Sequence, residues 1–562
     1  MKRSTALGLM AILVGSVVIR LSPLLSFLYW GSDTGEYFAI LRNLVRTGRV
    51  SNVYYGWGIT YPYFPGMFFV QGGMVELGGL DAPTVLNLLV PILGALAVVP
   101  MFLIAHRVTG DERVALFAAA FLMGAIPQAY TTAHPAPATL GDLLALAGLL
   151  LFLRLRTDRA ALVPLLLVTG ALISTHHLSL YFFLIMALGT IVIQGLASPW
   201  RWTAGTKRQV AYGGILLTGS FAYWLGYATT FRESILSDVD IRPWWALLVF
   251  FPIGIGLLAA VIFARARLRW RYRPVYPGIR RRGAAYAAAA GTILVLGFVA
   301  VLAGVPGTSF RVPAEGLLYF VPLVLLMSFA APGRPFLDFD RDGVAVNAWL
   351  VALLGSAVVG ITVAPRVLIP YRHMEYLLVP FAIFAGVGLF RTLDLSVMRA
   401  RRRIAVLAVL GVLLAASAFS AIPPPSTLAG WREGTVPAAV DPAYWARDHA
   451  RGLVVTDHHG STTVFGFGGL NATWDRIRTP FLLTDPYAGL AGIDSPSGRK
   501  DATYVWIDRD MEAGVRLTPW ETAIPMDPKV IEKFDSAPFV KVFDNGYASL
   551  YWIAWGCSPS SC

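Results

Sequence analysis

The chain has 562 residues, of which 56% are hydrophobic and only 14% are charged, and its mean hydropathy is +0.62. These values exclude an ordinary soluble domain, because no water-soluble fold could bury that much apolar surface. The net charge of +13 does not indicate nucleic acid, since the basic residues lie between apolar runs and are expected to face anionic lipid headgroups.

Apolar runs dominate the first three-quarters of the chain. Runs of about 16 to 22 residues recur between residues 6 and 421, and each can cross a hydrocarbon core about 30 Å thick. We therefore predict a polytopic α-helical membrane protein with about thirteen transmembrane helices. The predicted spans are 6–27, 84–105, 113–129, 136–153, 161–175, 178–196, 211–228, 244–264, 284–304, 316–331, 344–363, 376–390 and 404–421.

The composition becomes polar and mixed after the last predicted span. We predict a transmembrane bundle over residues 1–421 and a mixed α/β domain over residues 422–562. A helical segment (DPAYWARDHA) opens this domain, and the runs GLVVTD, TTVFGFG and TYVWID are typical of strands. The alternation in VKVFDNGYASLYWI, with its Asn545-Gly546 turn, predicts a β-hairpin.

Lys and Arg concentrate in the loops on the N-terminal side of the membrane, as in the run ARARLRWRYRPVYPGIRRR. By the positive-inside rule this side is cytoplasmic. An odd number of spans then makes the C-terminal domain extracytoplasmic, and we predict a multi-pass protein of the cell membrane. Cys557 and Cys562 lie in that domain, either as a small disulfide loop or as two free thiols.

Residues 30–83 form the longest predicted loop on the outer face, which is the face opposite the basic loops. This segment is rich in aromatic residues and glycine (VYYGWGITYPYFPG), with a helix-like piece from Glu36 to Thr47. A loop of this length is usually functional.

Two carboxylates open this loop. Asp33 and Glu36 are three residues apart, so on a helix both point the same way, and together they could bind a divalent cation or act as a general base. The alternative interpretation is structural, with Asp33 capping the helix that follows.

Histidines occupy two short outer loops. His134 lies between the third and fourth spans, and His176 and His177 lie between the fifth and sixth. An imidazole could ligate a metal or contact a phosphate, although a histidine at the membrane interface is often only a polar group at headgroup level.

A basic cluster precedes the twelfth predicted span. Arg372 could bind a phosphate through its forked donors, or it could pair with Glu375 at spacing i, i+3. Arg366, Tyr371 and His373 lie nearby in sequence and extend the candidate phosphate site.

Together these features resemble the glycosyltransferase-C superfamily, which includes archaeal oligosaccharyltransferase catalytic subunits and protein O-mannosyltransferases. The resemblance covers almost the whole chain: many spans, the acidic motif GSDTGEYFAILRNLVRTGRV, the segment YPYFPG and the ending VFDNGYASLYWI.

The resemblance implies an enzyme that transfers a sugar from a polyprenyl (dolichyl) phosphate donor to a glycan, lipid or protein acceptor on the outer face. Asp33 would be the catalytic or metal-binding acid, assisted by Glu36. The donor phosphate would meet Arg372 and its neighbours. A divalent ion, Mn²⁺ or Mg²⁺, could bind to the side chains of Asp33 and His134.

The chain departs from the oligosaccharyltransferases in two places. Its second outer loop carries His134 instead of an acidic motif. The WWDYG-type motif of the oligosaccharyltransferases is also missing, and the most similar segment here is Thr473-Trp474-Asp475-Arg476. Transfer of a single sugar therefore fits better than transfer of a whole oligosaccharide. Two alternatives remain, a transporter or flippase of a lipid-linked solute and a non-catalytic scaffold. Transporters usually place polar groups near mid-membrane, whereas these predicted spans are almost free of ionisable residues, with Asp142 and Arg20 as the main exceptions.

Overall fold

The structure is a computed structural model. It describes residues 2–51, 53–197, 203–238, 256, 278–304, 311, 313–338, 341–362, 365–393, 398–424, 432–474, 479–483, 501–512, 514–516 and 523–555. The two cysteines lie outside these residues. So do the predicted span 244–264, apart from residue 256, and most of the basic run that follows that span.

The N-terminal part is helical. Within the described ranges, nine helical segments are long and apolar enough to cross a membrane, and Arg159–Thr175 is a shorter apolar segment. The multi-pass helical architecture is thus confirmed, while the count of about thirteen spans stays a prediction. The nine segments are Arg3–Leu25, Ala82–Thr109, Pro137–Leu155, His177–Gly195, Ile279–Ala303, Gly316–Leu337, Asp342–Ile361, Pro370–Thr392 and Ala400–Phe419.

The individual α-helices are often shorter than the spans, because proline, glycine and short 3₁₀ or π turns interrupt them. The described helices are Arg3–Leu21, Thr34–Thr47, Gly66–Gly78, Ala82–Thr84, Val90–Ala95, Val98–Thr109, Glu112–Gly124, Ile126–Thr131, Pro137–Leu155, Leu162–Thr175, His177–Ala197, Ala204–Phe221, Thr229–Asp238, Ile279–Ala303, Gly316–Met327, Ala330–Gly333, Arg341–Thr362, Pro365–Leu368, His373–Thr392, Ala400–Phe419, Pro437–His449, His458–Thr463 and Pro528–Ile531.

The predicted span 113–129 shows such an interruption. Helix Glu112–Gly124 ends at an extended Ala125, and a new helix begins at Ile126 with Pro127 in its first turn. Proline is tolerated there because its missing N–H would have no partner in the first turn of a helix. The break directs the chain back across the end of the bundle, toward His134.

Burial separates the centre of the bundle from its periphery. Segment Pro370–Thr392 is the most buried of the nine, whereas Ile279–Ala303 and Ala400–Phe419 have almost no buried residues. Exposed apolar side chains along those two helices are expected of surfaces that contact lipid.

The C-terminal domain contains a five-stranded sheet in the order β4-β3-β5-β7-β6. Strand β3 is parallel to β4 and β5, while β7 is antiparallel to β5 and β6. The predicted hairpin is confirmed, with Asn545 and Gly546 between β6 and β7. The strands are β3 Leu453–Val455, β4 Asn471–Ala472, β5 Ala502–Asp508, β6 Phe539–Asp544 and β7 Ala548–Ile553.

The strand prediction for TTVFGFG is wrong, because helix His458–Thr463 and a π turn, Val464–Gly468, occupy that segment. Asp457 explains the difference: its side chain accepts a hydrogen bond from the Gly460 N–H at 2.8 Å and so caps the new helix. We call Thr34–Thr47 the first-loop helix; it and helix Pro437–His449 confirm the helical predictions for those segments.

The first loop packs directly against the C-terminal domain. A short ladder joins β1 (Tyr29–Trp30) to β2 (Gly434–Thr435). The Phe467 ring stacks on Tyr29 and on Phe38 of the first-loop helix, at centroid distances of 4.8 and 5.0 Å. The two regions therefore share one apolar core.

Glycine allows this packing. A Cβ atom at Gly35 would collide with the backbone carbonyl of Thr462, and one at Gly466 would collide with the backbone of Gly35. The backbones of the first-loop helix and of the C-terminal domain consequently touch at Gly35, two residues after Asp33.

Candidate active site

Asp33 lies at the N-terminus of the first-loop helix, facing the C-terminal domain. It is the N-cap residue, but its side chain makes no capping hydrogen bond. Instead the Tyr61 hydroxyl donates to Asp33 Oδ2 at 3.1 Å, and His458 Nε2 lies 3.3 Å from Oδ1. The Asp33 side chain is 18% exposed and that of His458 only 4%, so the carboxylate is the group that a ligand can reach.

Glu36 is fully buried one turn further along the helix. Its carboxyl group accepts hydrogen bonds from the backbone N–H groups of Trp57 and Gly58, the latter at 2.9 Å from Oε2. Burial and the nearby charge of Asp33 raise the pKa of Glu36 to about 8, although the two backbone hydrogen bonds act in the opposite direction.

The pKa of Asp33 shifts in the opposite direction from that of Glu36. Burial by itself would raise the pKa of Asp33, but the hydrogen bond and charge of His458 and the Tyr61 hydroxyl hold the pKa below its usual value. Near neutral pH the pair therefore carries one negative charge, on Asp33, while Glu36 is protonated. Two neighbouring carboxyl groups with separated pKa values are typical of acid–base sites.

His458 comes from the far end of the chain and was not predicted as a site residue. It is the first residue of helix His458–Thr463, directly after strand β3 and the capping residue Asp457. Its backbone N–H donates to the Arg516 carbonyl at 2.9 Å, which fixes the start of the helix. The available signal was the polar run Thr-Asp-His-His immediately after an apolar strand, since strand ends often carry functional side chains.

His134 faces a second acid that sequence reasoning missed. Its Nε2 lies 3.8 Å from Glu433 Oε2. Glu433 also accepts hydrogen bonds from the Ser32 N–H at 2.6 Å and from the Tyr130 hydroxyl at 3.3 Å. Burial lowers the pKa of His134, while the charge of Glu433 opposes this and that of Arg372 adds to it.

Arg372 lies at the bundle end of the same region. Its Nη1 donates to Glu375 Oε1 at 2.9 Å, and Glu375 also accepts from the Thr131 hydroxyl at 3.0 Å. The Arg372 side chain stays 30% exposed, with the guanidinium 5.7 Å from the centre of the Tyr371 ring. The ion pair considered from the sequence is therefore present, and the guanidinium keeps donors for a further anion.

The remaining predicted residues lie at differing depths. His176 Nδ1 is 2.8 Å from Ser179 Oγ, and the His177 ring packs 4.6 Å from that of Phe231. His373 is buried in the bundle, with Nε2 at 2.8 Å from Ser356 Oγ. Arg366 belongs to the short helix Pro365–Leu368, and its side chain lies outside the described structure.

A buried hydrogen-bonded chain connects His176 with the bundle interior. The Ser179 hydroxyl donates to Asp142 Oδ1 at 3.1 Å, and the Tyr376 hydroxyl donates to the same oxygen. Asp142, noted in the sequence as an unusual polar residue within a span, is thus buried with two hydrogen-bond donors on one carboxyl oxygen.

Arg20 has a similar supporting role. Its guanidinium donates to the Thr132 hydroxyl at 2.8 Å and to the Gln128 side chain at 2.6 Å. These bonds hold the turn that carries His134.

The predicted metal ligands do not form a complete set. Among the described residues no group of three or more His, Cys, Asp and Glu side chains gathers as metal ligands. Both Asp33 oxygens already have neighbours, and His134 faces Glu433. Asp33 and His134 by themselves therefore supply fewer ligands than a metal ion needs.

The architecture is similar to that of several solved membrane glycosyltransferases. The archaeal oligosaccharyltransferase AglB from Archaeoglobus fulgidus superposes with a TM-score of 0.60 and 14% identity, over 91% of this chain and 70% of AglB. ArnT from Cupriavidus metallidurans superposes over 97% of both chains, with a TM-score of 0.50 and 12% identity. The chain has the glycosyltransferase-C fold.

A third structure with the glycosyltransferase-C fold, the mycobacterial arabinofuranosyltransferase AftD, matches 100% of this chain but the chain spans only 40% of AftD. The TM-score is 0.51 and the identity 16%. No protein-family model matches the sequence, and no curated protein does either. The resemblance inferred from the motifs is thus confirmed through the fold.

Proposed function

We propose that the protein is a membrane glycosyltransferase that transfers a sugar from a polyprenyl-phosphate donor to a glycan, lipid or protein acceptor. The observation that carries the proposal is the carboxylate of Asp33. It is ionised, partly exposed and held between the first loop and the C-terminal domain of a glycosyltransferase-C fold.

Asp33 would act as the general base. It accepts the proton of the acceptor's nucleophilic group as that group bonds to the anomeric carbon of the donor sugar. The bond between the sugar and the phosphate breaks, and the polyprenyl phosphate leaves with the bonding electron pair. Tyr61 and His458 orient the carboxylate, which keeps it aimed at the acceptor.

Glu36 contributes by staying neutral. A second negative charge beside Asp33 would be unfavourable in a buried site, and protonated Glu36 avoids it. Its backbone hydrogen bonds to the 57–58 turn hold the segment that carries Tyr61 close to the first-loop helix.

Arg372 is our candidate for the phosphate of the donor. Its guanidinium is partly exposed at the membrane end of the site and can share its donors between Glu375 and a phosphate oxygen. Charge-assisted hydrogen bonds there would stabilise the negative charge that develops on the leaving phosphate.

Similar structures support a lipid-linked donor. AglB has been solved with an inhibitory peptide and a dolichol-phosphate, and ArnT with undecaprenyl phosphate. We accordingly infer a polyprenyl-phosphate sugar as donor and retain a protein among the acceptor classes.

Topology and metal dependence stay predictions. We expect the C-terminal domain to be extracytoplasmic, which reporter fusions at the two termini would test. The predicted divalent ion is tested by measuring transfer after EDTA treatment and again after addition of Mn²⁺ or Mg²⁺.

Substitution of the base tests the proposed function. In a transfer assay with the purified protein in lipid nanodiscs and a panel of polyprenyl-phosphate sugars, Asp33→Asn should reduce transfer by about 10²- to 10⁴-fold. Asp81→Asn is the matched control, because Asp81 is an exposed helix cap whose capping role asparagine can replace. Undiminished transfer by Asp33→Asn would refute the assignment of the base, and movement of the lipid-linked sugar without a covalent product would favour a flippase.

A further inference from the structure

A cavity of about 290 Å³ lies between the first-loop helix and helix Pro437–His449 of the C-terminal domain. Phe38 and Arg42 line it from one side and Tyr444 and Arg447 from the other. This volume is at the lower end of the range for small-molecule sites and suits one sugar unit rather than a lipid chain.

The cavity is strongly basic. Burial, together with the like charges of Arg46 and Arg447, lowers the pKa of Arg42. In the part of the chain that the structure describes, no carboxylate forms an ion pair with Arg42, whose guanidinium lies 5.6 Å from the centre of the Phe38 ring. Arg447 donates from Nε and Nη2 to the exposed carboxylate of Asp448, at 2.9 and 3.3 Å, which leaves its Nη1 group for a further anion.

Arg42 lies near the like charges of Arg46 and Arg447, so an anion beside its guanidinium would be favourable. Its planar, forked donors match the two oxygens of a carboxylate or a phosphate. Tyr444 adds an aromatic ring to the same wall, with the Arg447 guanidinium 5.2 Å from its centre. The lining therefore offers both charge and an amphipathic surface, as recognition of a charged sugar requires.

The cavity is placed to receive an acceptor. Arg42 is nine residues beyond Asp33 on the first-loop helix, which corresponds to about 13 Å along the helix axis. Its walls belong to the first-loop helix and the C-terminal domain, not to the nine apolar segments that can cross a membrane. A chain of a few sugar units could thus reach from this cavity to the base.

We propose that this cavity binds an acidic sugar, carrying a carboxylate or a phosphate, within the acceptor glycan. The proposal rests on the proposed glycosyltransferase function and narrows its acceptor to an anionic glycan. Arg42 and Arg447 bind the acidic group, and Asp33 acts on a hydroxyl several units away.

Direct binding tests this site without relying on transfer. The full chain in phosphatidylcholine nanodiscs is titrated with a glucuronate-containing oligosaccharide and with its carboxyl-reduced, neutral counterpart. We expect wild type to bind the acidic probe about tenfold more tightly than the neutral one, as expected for charge-assisted hydrogen bonds. The Arg42→Gln, Arg447→Gln double variant should lose this preference.

Control variants distinguish binding in this cavity from non-specific attraction between charges and from the role of Asp33 in transfer. Arg42→Lys, Arg447→Lys keeps the charge and should retain part of the preference, while exposed Arg49→Gln should retain all of it. Asp33→Asn should strongly reduce transfer yet bind the acidic probe like wild type, so failure of the base and failure of the cavity give different results.

Two outcomes would overturn the proposal. The first is equal binding of the acidic and neutral probes by wild type, or a preference that the double Gln variant keeps. The second is competition: if nanodiscs containing phosphatidylglycerol remove the preference by occupying Arg42 and Arg447, the cavity binds lipid headgroups instead of glycan.

Discussion

Two ionic clusters of the C-terminal domain begin at the consecutive residues Asp457 and His458, and they differ in how their charges are balanced. Asp457 belongs to a closed cluster around Arg432, whose guanidinium lies 2.8 Å from it and contacts two further acids, Asp508 at 3.0 Å and Asp510 at 3.7 Å. His458 instead reaches out of the domain to Asp33, a partly exposed carboxylate that has no arginine or lysine ion pair among the described residues.

The difference shows which cluster is structural. Around Arg432 three carboxylates converge on one guanidinium, and that cluster links residue 432 to the strand ends of the sheet. At Asp33 the hydrogen-bonding neighbours are a hydroxyl and an imidazole, which orient the carboxylate and keep it ionised. An ionised carboxylate that a ligand can reach is what a general base requires.

The largest effect, a loss of stability, is expected in the cluster around Arg432. Arg432→Gln leaves buried acids without a counter-charge, and loss of one partner of a buried ion pair typically costs about 3–5 kcal/mol. We expect a marked fall in the midpoint of thermal unfolding in detergent. Arg509→Gln is the control, because Arg509 is exposed beside the same strand. An unchanged midpoint in Arg432→Gln would mean that the cluster is not structural.

The next largest effect, on stability and on transfer, is expected at the backbone contact between the first-loop helix and the C-terminal domain. Gly35→Ala places a methyl group against the Thr462 carbonyl, and such overpacking typically costs about 1–3 kcal/mol. The first-loop helix must shift, so transfer should fall even where the protein remains folded. Gly73→Ala is the control, since no atom lies within 4 Å of the Cβ added there. Equal transfer by both variants would contradict the proposed role of the contact.

A smaller effect, on the pH dependence of transfer, is expected from substitution of His458. His458→Gln keeps a hydrogen-bond donor but removes the charge that lowers the pKa of Asp33, so that pKa should rise. Because the base must be ionised, the acidic limb of the pH profile of kcat/KM moves to higher pH, with a fall of about tenfold below neutrality. Exposed His449→Gln should leave the profile unchanged, and an unshifted limb in His458→Gln would refute the coupling.

The smallest effect at a fixed pH should come from Glu36→Gln, because glutamine resembles the protonated acid; near pH 6 we expect less than about 1 kcal/mol. Glu36→Gln should have a larger effect on how the stability of the protein changes with pH. With its folded-state pKa raised to about 8, Glu36 contributes stability that is complete below its unfolded pKa and is lost as the pH rises through 8. Unfolding midpoints between pH 5 and 9 should therefore decline more steeply in wild type and in Glu76→Gln, an exposed control, than in Glu36→Gln.

Much of this protein was readable from local sequence. Hydropathy predicted a multi-pass helical bundle, and the helix and hairpin predictions at residues 36–47, 441–450 and 540–553 were confirmed because spacing and turn residues act over short distances. The Asp33–Glu36 pair was likewise visible as a spacing of three residues.

Only the tertiary structure decided what surrounds that pair. His458 lies 425 residues from Asp33, and Glu433 lies 401 residues from Ser32, so no periodicity could relate them. The same holds for the contrast between the carboxyl groups: Asp33 and Glu36 differ little as residue types, and burial with specific donors is what ionises one and protonates the other. Sequence determined which groups could carry charge, and packing between the first loop and the C-terminal domain determined where that charge is used.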